Sequence, residues 1–359
     1  MKVVLDTSVI CQDYFFRKPH SQVLLEGAAV VPLELFVPQV VFDECVNKFA
    51  EHVDQAASLL KKAESAFGRL SNKSVRASIE PNPSETHYDS FLKAFLMSNN
   101  IHVAPYPKVS HQDIVARELA RKKPFKSNGA GYRDALIWES FRYISRFGND
   151  RSVFVSANIK DFGEGPRVPK DLEADFRSPR SIEVFPSVEK FNEKYVLPRL
   201  GKIEVAASAI SAAGIVGFDL KHWIRSSLFN ILGDVDFNYP VVGFDEDYGS
   251  VHIWEIVHFD CVEVDDIRSM SGDRYVIRVV VDVTCVFSVS CDMRDYFQSP
   301  AVRDFFGPPD GEFDSISAEL ERAITATVDL IVHETTGRVE SSELVSISGD
   351  YGEIELGGW

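Results

Sequence analysis

The chain has 359 residues, 45% of them hydrophobic, and a formal net charge of −16 at pH 7. That length suits about two domains, and without an apolar run of about 18 residues or more no membrane-spanning helix is expected. The overall acidity argues against a generic nucleic-acid binder, but the charge is unevenly spread: residues 1–200 hold 28 Lys+Arg and 25 Asp+Glu, whereas residues 201–359 hold 10 and 29. This asymmetry predicts a domain over 1–200 and an acidic one over 201–359. The five cysteines are scattered, without CxxC spacing, and no basic segment leads into an apolar stretch at the start. Reduced thiols and a cytoplasmic location follow as expectations.

In the first half, strand-like and helix-like segments alternate. Lys2–Leu5 reads as a strand, His20–Ala29 as a helix, and Leu35–Val37 as a second strand closed by Pro38. Gln39–Phe67 has helical spacing, with Val40, Val41, Cys45, Phe49, Val53, Ala56 and Leu60 near one stripe. Asn82–Glu85 offers a helix start, followed by Tyr88–Met97, a strand at Ile101–Ala104, and helices at His111–Arg121 and Gly131–Phe147. Ser152–Ser156 and Ser181–Phe185 read as strands, with a closing helix over Val188–Val196. Such alternation predicts an α/β domain with a parallel sheet covered by helices on both faces.

After Leu200 the grammar changes. Ile203–Gly217 and Phe218–Leu232 are helix candidates. Val251–Val264 and Arg274–Val289 alternate as an antiparallel strand pair, with Asp265-Asp266 in the turn region between them. Ser317–Thr336 reads as a helix and Glu340–Leu356 as strand, making this half α+β. Asp245-Glu246-Asp247 and Asp265-Asp266 read as solvated turns. His252 and His258, on one strand face with Asp260 nearby, read as partly buried sheet histidines rather than ligands.

Four carboxylates carry the chemical argument. Asp6 ends the first strand in LDTSVI, Glu44 lies inside the helix of VPQVVFDE, Asp134 opens the helix of GAGYRDALIW, and Asp161 follows the fourth strand in VFVSANIKDF. Ligands in open α/β sheets bind at the carboxyl ends of strands. Acids crowded there repel one another unless a cation sits among them, and hard oxygen ligands favour Mg²⁺ or Mn²⁺. Asp43 competes with Glu44 on the residues alone. Just before Asp134, the segment RELARKKPFKSNGAGYRD carries Arg117, Arg121, Lys122, Lys123, Lys126 and Arg133, suited to a polyanionic strand. Phe125 and Tyr132 are candidates for base stacking, or for anchoring the loop.

The order and spacing of these four motifs resemble a PIN domain, and more narrowly the long, helix-inserted PIN-like domains of bacterial proteins. The resemblance covers about residues 1–200. It implies a Rossmann-like fold and a metal-dependent ribonuclease. It makes Asp6, Glu44 and Asp134 the metal ligands and catalytic acids, with Asp161 as a variable fourth, and prefers Glu44 to Asp43. Thr7, Ser8 and Asn158 match polar positions beside the acids. Together these point to an Mg²⁺- or Mn²⁺-dependent endoribonuclease acting on single-stranded RNA, by family analogy a toxin or phage-defence effector. Arg121, Lys122, Lys123, Lys126 and Arg133 are expected to position the strand. Residues 201–359 are expected to serve a homo-oligomer or a regulatory protein, with no membrane partner. A DNA-directed flap-type nuclease and a catalytically silent binding or scaffold protein are the competing readings.

Overall fold

The computed structural model describes residues 1–70, 87–146, 151–163, 168–176, 182–202, 218–233, 235, 237, 249–308, 315–349 and 352–354. The helix start at Asn82–Glu85, the helix candidate Ile203–Gly217 and the acidic run Asp245-Glu246-Asp247 lie outside them. Residues 1–17 and 24–196 group as one unit; residues 18–23 and 197–357 group as another.

The first unit is built on a five-stranded sheet of β1 (Lys2–Leu5), β2 (Glu34–Pro38), β3 (His102–Ala104), β4 (Ser152–Val155) and β5 (Ile182–Phe185), in the order β3-β2-β1-β4-β5. Every pairing is parallel, and Val4 sits opposite both Phe36 and Phe154. The segments KVVL, SVFV and IEVF are buried along their whole length, as parallel strands covered on both faces must be. The chain leaves β1 towards β2 and β3, then returns to β4 on the other side. The carboxyl end of β1 is therefore a topological switch point, where α/β sheets bind ligands.

The helices of this unit are α1 (Thr7–Gln12), α2 (Pro19–Val30), α3 (Gln39–Leu70), α4 (Tyr88–Ser98), α5 (His111–Leu119), α6 (Tyr132–Ser145), α7 (Ile159–Phe162), α8 (Lys170–Glu173) and α9 (Val188–Tyr195). The sequence reading did not anticipate α1, which is six residues long and too short to show a helical period. In α3 the expected stripe is buried only at Val40, Val41, Cys45 and Phe49; from Val53 onward the helix is largely exposed. Phe49 stacks on Tyr88 of α4 at 4.1 Å between ring centroids, and this fixes the buried third of α3 under the sheet edge.

The second unit holds α10 (Leu220–Gly233), β6 (Gly249–Met270), β7 (Arg274–Asp292), α11 (Met293–Gln298), α12 (Pro300–Phe306), β8 (Ser315–His333), β9 (Val339–Gly349) and β10 (Gly352–Ile354). Its five strands form an antiparallel sheet, β10-β9-β8-β7-β6. Leu220, Ile224, Leu228 and Leu232, four residues apart on α10, join one core with alternate residues of β7 (Ile277, Val279, Val281, Val283) and β8 (Ile324, Ala326, Val328, Leu330).

Three expectations for this half are corrected. Ser317–Thr336 is not a helix but most of β8. Its stretch AELERA favours helix, yet Ile316, Ala318, Leu320, Ile324, Ala326, Val328, Leu330 and Val332 recur at period two. Pairing with β7 along all 19 residues outweighs local propensity. Asp265 and Asp266 do not lie in a turn but within β6, which runs on to Met270; Asp266 accepts from Arg268 Nε at 2.7 Å. His252 and His258 are exposed, opposite Ser288 and Thr284 on the solvent-facing side of β7. The alternation that places their neighbours in the core puts them on the other face.

Candidate active site

Asp6 follows β1 directly and occupies the N-cap position of α1 with an extended backbone (φ −86°, ψ 166°). Its N–H donates to Val155 O of β4 at 3.0 Å, so the turn is tied to the neighbouring strand. The carboxylate is 5% exposed. Its Oδ2 accepts from Ser156 Oγ at 2.6 Å and from Ser8 Oγ at 2.9 Å. Each hydroxyl is held in turn, Ser8 Oγ by Ala157 N at 3.0 Å and Ser156 Oγ by Asn158 N at 3.1 Å. Burial pushes the Asp6 carboxyl above the usual range. The Ser156 and Ser8 hydrogen bonds pull it back and Glu44 adds to the rise.

Glu44 lies in the second turn of α3. Thr7 Oγ1 donates to its Oε2 at 3.0 Å, and Arg133 Nη1 donates to its Oε1 at 3.0 Å. Asp43 is turned elsewhere, accepting from Gln39 Nε2 at 2.8 Å and from Tyr106 OH at 2.7 Å. Asp134 sits in the first turn of α6. Its carboxyl is pushed up to about 6, first by burial and then by the charges of Asp6, Asp161 and Glu44, with Lys126 opposing. Asp161, buried in α7, accepts from Asn158 Nδ2 at 2.9 Å and lies 3.8 Å from Lys126 Nζ. Four acids from four separate segments thus act on one another at the switch point.

Residues 3–162 match the family model of the PIN domain. This part of the chain is a PIN domain. Neither the curated proteins nor the solved structures gave a match. PIN domains are in general metal-dependent nucleases that use divalent ions, and the match supports chemistry of the nuclease kind for this unit. Among the described residues no helix is long and apolar enough to cross a membrane.

In the PIN domain's acidic cluster no three His, Cys, Asp or Glu side chains form a ready-made ligand group among the described residues. The oxygens are instead engaged by Ser8, Ser156, Thr7 and Arg133. The donor set still fits a hard divalent cation: every acid offers carboxylate oxygen, and their mutual repulsion is what such a charge relieves. Among the described residues three cations lie against the acids, Lys48 at 3.7 Å from Glu44 Oε1 together with Lys126 and Arg133, and their side chains are 39%, 55% and 65% exposed, so they can move aside.

The rest of the basic segment divides. Lys123 Nζ donates to Lys160 O at 2.5 Å, beside Asp161. Arg121 pairs with Glu118, and Lys122 is exposed; neither contacts an acid of the cluster. Arg117 braces the loop, donating to Lys123 O and Asp175 Oδ2, each at 2.7 Å. The loop closes on itself through Lys126 N to Ala130 O at 2.8 Å and Gly129 N to Lys126 O at 2.9 Å. At Gly131 φ is +120°, and a Cβ there would meet Pro124 O at 2.8 Å, so only glycine fits. Phe125 is buried with Ile114 and Ala135 and anchors the loop; Tyr132 is 48% exposed.

Sequence reasoning missed Ser156. The signal was a hydroxyl residue at the end of a fourth strand, as Thr7 and Ser8 follow the first. Ser156→Ala leaves Asp6 with one hydroxyl donor and should cost about 1.5–3 kcal/mol, since the lost bond is to a carboxylate. Denaturant unfolding at pH 7 checks this; an unchanged midpoint would show that the bond contributes nothing.

Proposed function

We propose that the PIN domain is an endoribonuclease in which Asp6, Glu44, Asp134 and Asp161 hold Mg²⁺ or Mn²⁺. The observation that carries this reading is the convergence of four acids from separate segments at the switch point, where burial first, and then the charges of Asp6, Asp161 and Glu44, push the Asp134 carboxyl up. A divalent cation held there supplies Lewis-acid activation of water and of the scissile phosphodiester. Ser8 and Ser156 orient Asp6, Thr7 orients Glu44, and Asn158 orients Asp161. Lys126, Arg133 and Lys123 neutralise phosphate oxygens at the rim, and Arg121 and Lys122 extend that positive surface along the strand. The choice of RNA over DNA rests on the ribonuclease resemblance of the motifs. A cytoplasmic setting, a toxin or phage-defence role, and an assembly or regulatory role for the acidic residues 201–359 complete the proposal.

The test is incubation of labelled single-stranded RNA and matched DNA with Mn²⁺ or with EDTA. RNA cleavage that requires the metal supports the reading. Cleavage of DNA alone overturns the substrate assignment. A silent binding protein is the second reading, favoured by the engagement of the acids with Ser, Thr and Arg partners. It predicts no cleavage and no shift in melting temperature on adding metal.

A further inference from the structure

A second basic feature lies on the PIN domain, away from its four acids. Between α5 and α6 a groove of about 310 Å³ is lined by Lys108, Asp113, Arg117, Glu139, Arg142 and Arg146, together with Val109 and Ile114. Four cations face two carboxylates. Glu139 is buried and clamped by Arg142 Nη1, at 2.5 Å from Oε1 and 2.7 Å from Oε2, with Arg117 Nη1 3.7 Å away. Asp175 takes the other side of Arg117. Lys108 and Arg146 are exposed and have no acidic partner among the described residues. Arg142 Nε is enclosed and has no acceptor among them.

Arg142 is held by the buried Glu139 through Nη1 and its Nε is enclosed, so it shapes the groove, and contact with an oxyanion falls to the exposed Lys108 and Arg146. Two unpaired cations beside it favour a polyanion over a single neutral ligand. The groove also has a fixed relation to the acids, because α6 carries Asp134 in its first turn and Arg142 eight residues later, roughly 12 Å along the same rigid helix. We infer that this groove is an anchoring site for backbone phosphates of the single-stranded RNA whose cleavage occurs at the acids. The inference rests on the ribonuclease reading for the identity of the strand. The groove grips phosphate and not sequence, so it sets where along α6 the strand runs and raises affinity for longer substrates over short ones.

The experiment measures binding of a labelled single-stranded RNA to the full chain in EDTA by fluorescence anisotropy over a range of salt. The variant is Lys108→Ala/Arg146→Ala, two exposed positions where the fold tolerates alanine. The charge-matched control is Lys61→Ala/Lys62→Ala, on the exposed part of α3. The expected result is about tenfold weaker binding for the groove variant, with the slope of log K against log salt reduced by about 1.4 for two lost phosphate contacts. The control should match the parent protein. Unchanged affinity and slope in the groove variant, or an equal loss in the control, overturns the site. A loss seen with matched DNA but not with RNA overturns the assignment to RNA. Failure of the nuclease reading would appear separately, as absent cleavage by the parent protein with Mn²⁺, and would leave the binding comparison standing.

Discussion

Asp6→Asn is expected to lower metal-dependent cleavage about a thousandfold while leaving the protein folded and no less stable. Asparagine keeps the shape of the side chain and an acceptor for Ser8 and Ser156, but removes the charge that a cation needs. In the parent protein, burial and Glu44 both disfavour the ionised form of Asp6. At pH 7 without metal, removing that charge therefore removes a penalty, and the melting temperature of the variant should equal or exceed that of the parent. Addition of Mn²⁺ should raise the melting temperature of the parent and not of the variant. Loss of activity together with gain of stability marks a group kept for chemistry at the expense of the fold. Single-turnover cleavage and paired thermal melts decide the matter; a variant that still cuts removes Asp6 from the site.

The second large effect is a pH dependence set by Asp134. Its carboxyl binds a proton up to about pH 6 in the folded chain, against about 3.9 when unfolded. A group raised in this way contributes stability that is whole below the unfolded value and is lost as pH rises through about 6. The shift corresponds to about 3 kcal/mol, reduced to about 1–2 kcal/mol by screening at a partly exposed carboxylate. Glu183 runs the opposite way: Lys194 and Tyr195 hold it below its usual range, so it loses stability only as pH falls below that range. Asp6, raised by burial as well, acts with the same sign, so between pH 5 and about 7.5 the Asp134 share is read as the difference between the parent and Asp134→Asn. Metal-free protein should lose roughly 4 °C of melting temperature over that window. Asp134→Asn should flatten the profile, and Mn²⁺ should reverse it at the upper end. A profile that rises with pH in metal-free protein would contradict the crowding of the four acids.

The parts of the fold visible in the sequence are those with a strong period or a continuous apolar run. KVVL, SVFV and IEVF cannot be anything but buried strands at that length, and α6 announces itself through GAGYRD. Element α1 was hidden because six residues are too few for a helical period. The strand β8 was hidden because AELERA satisfies helix propensity locally, while its true pattern, alternate apolar residues, emerges only over the whole length that pairs with β7. At the candidate site, the grouping of the acids was legible because Asp6 ends a strand and Glu44, Asp134 and Asp161 fall near the starts of the helices that follow strands or loops. The division of labour among their neighbours was not. That Glu44 turns inward and Asp43 outward depends on Thr7 and Tyr106, brought there by other elements. Ser156 belongs to Asp6 only because β4 lies beside β1.

That last adjacency has a consequence for synthesis. Strand β1 is made first but sits at the centre of the sheet, between β2 and β4. The hydroxyl that holds Asp6 arrives 150 residues later. At ribosomal speeds of about 5–20 residues per second, the nascent chain spends about 8–30 s without an assembled acid cluster. The four acids of this unit therefore come together only after most of it has been translated, so any chemistry that needs all of them waits for nearly the whole sheet.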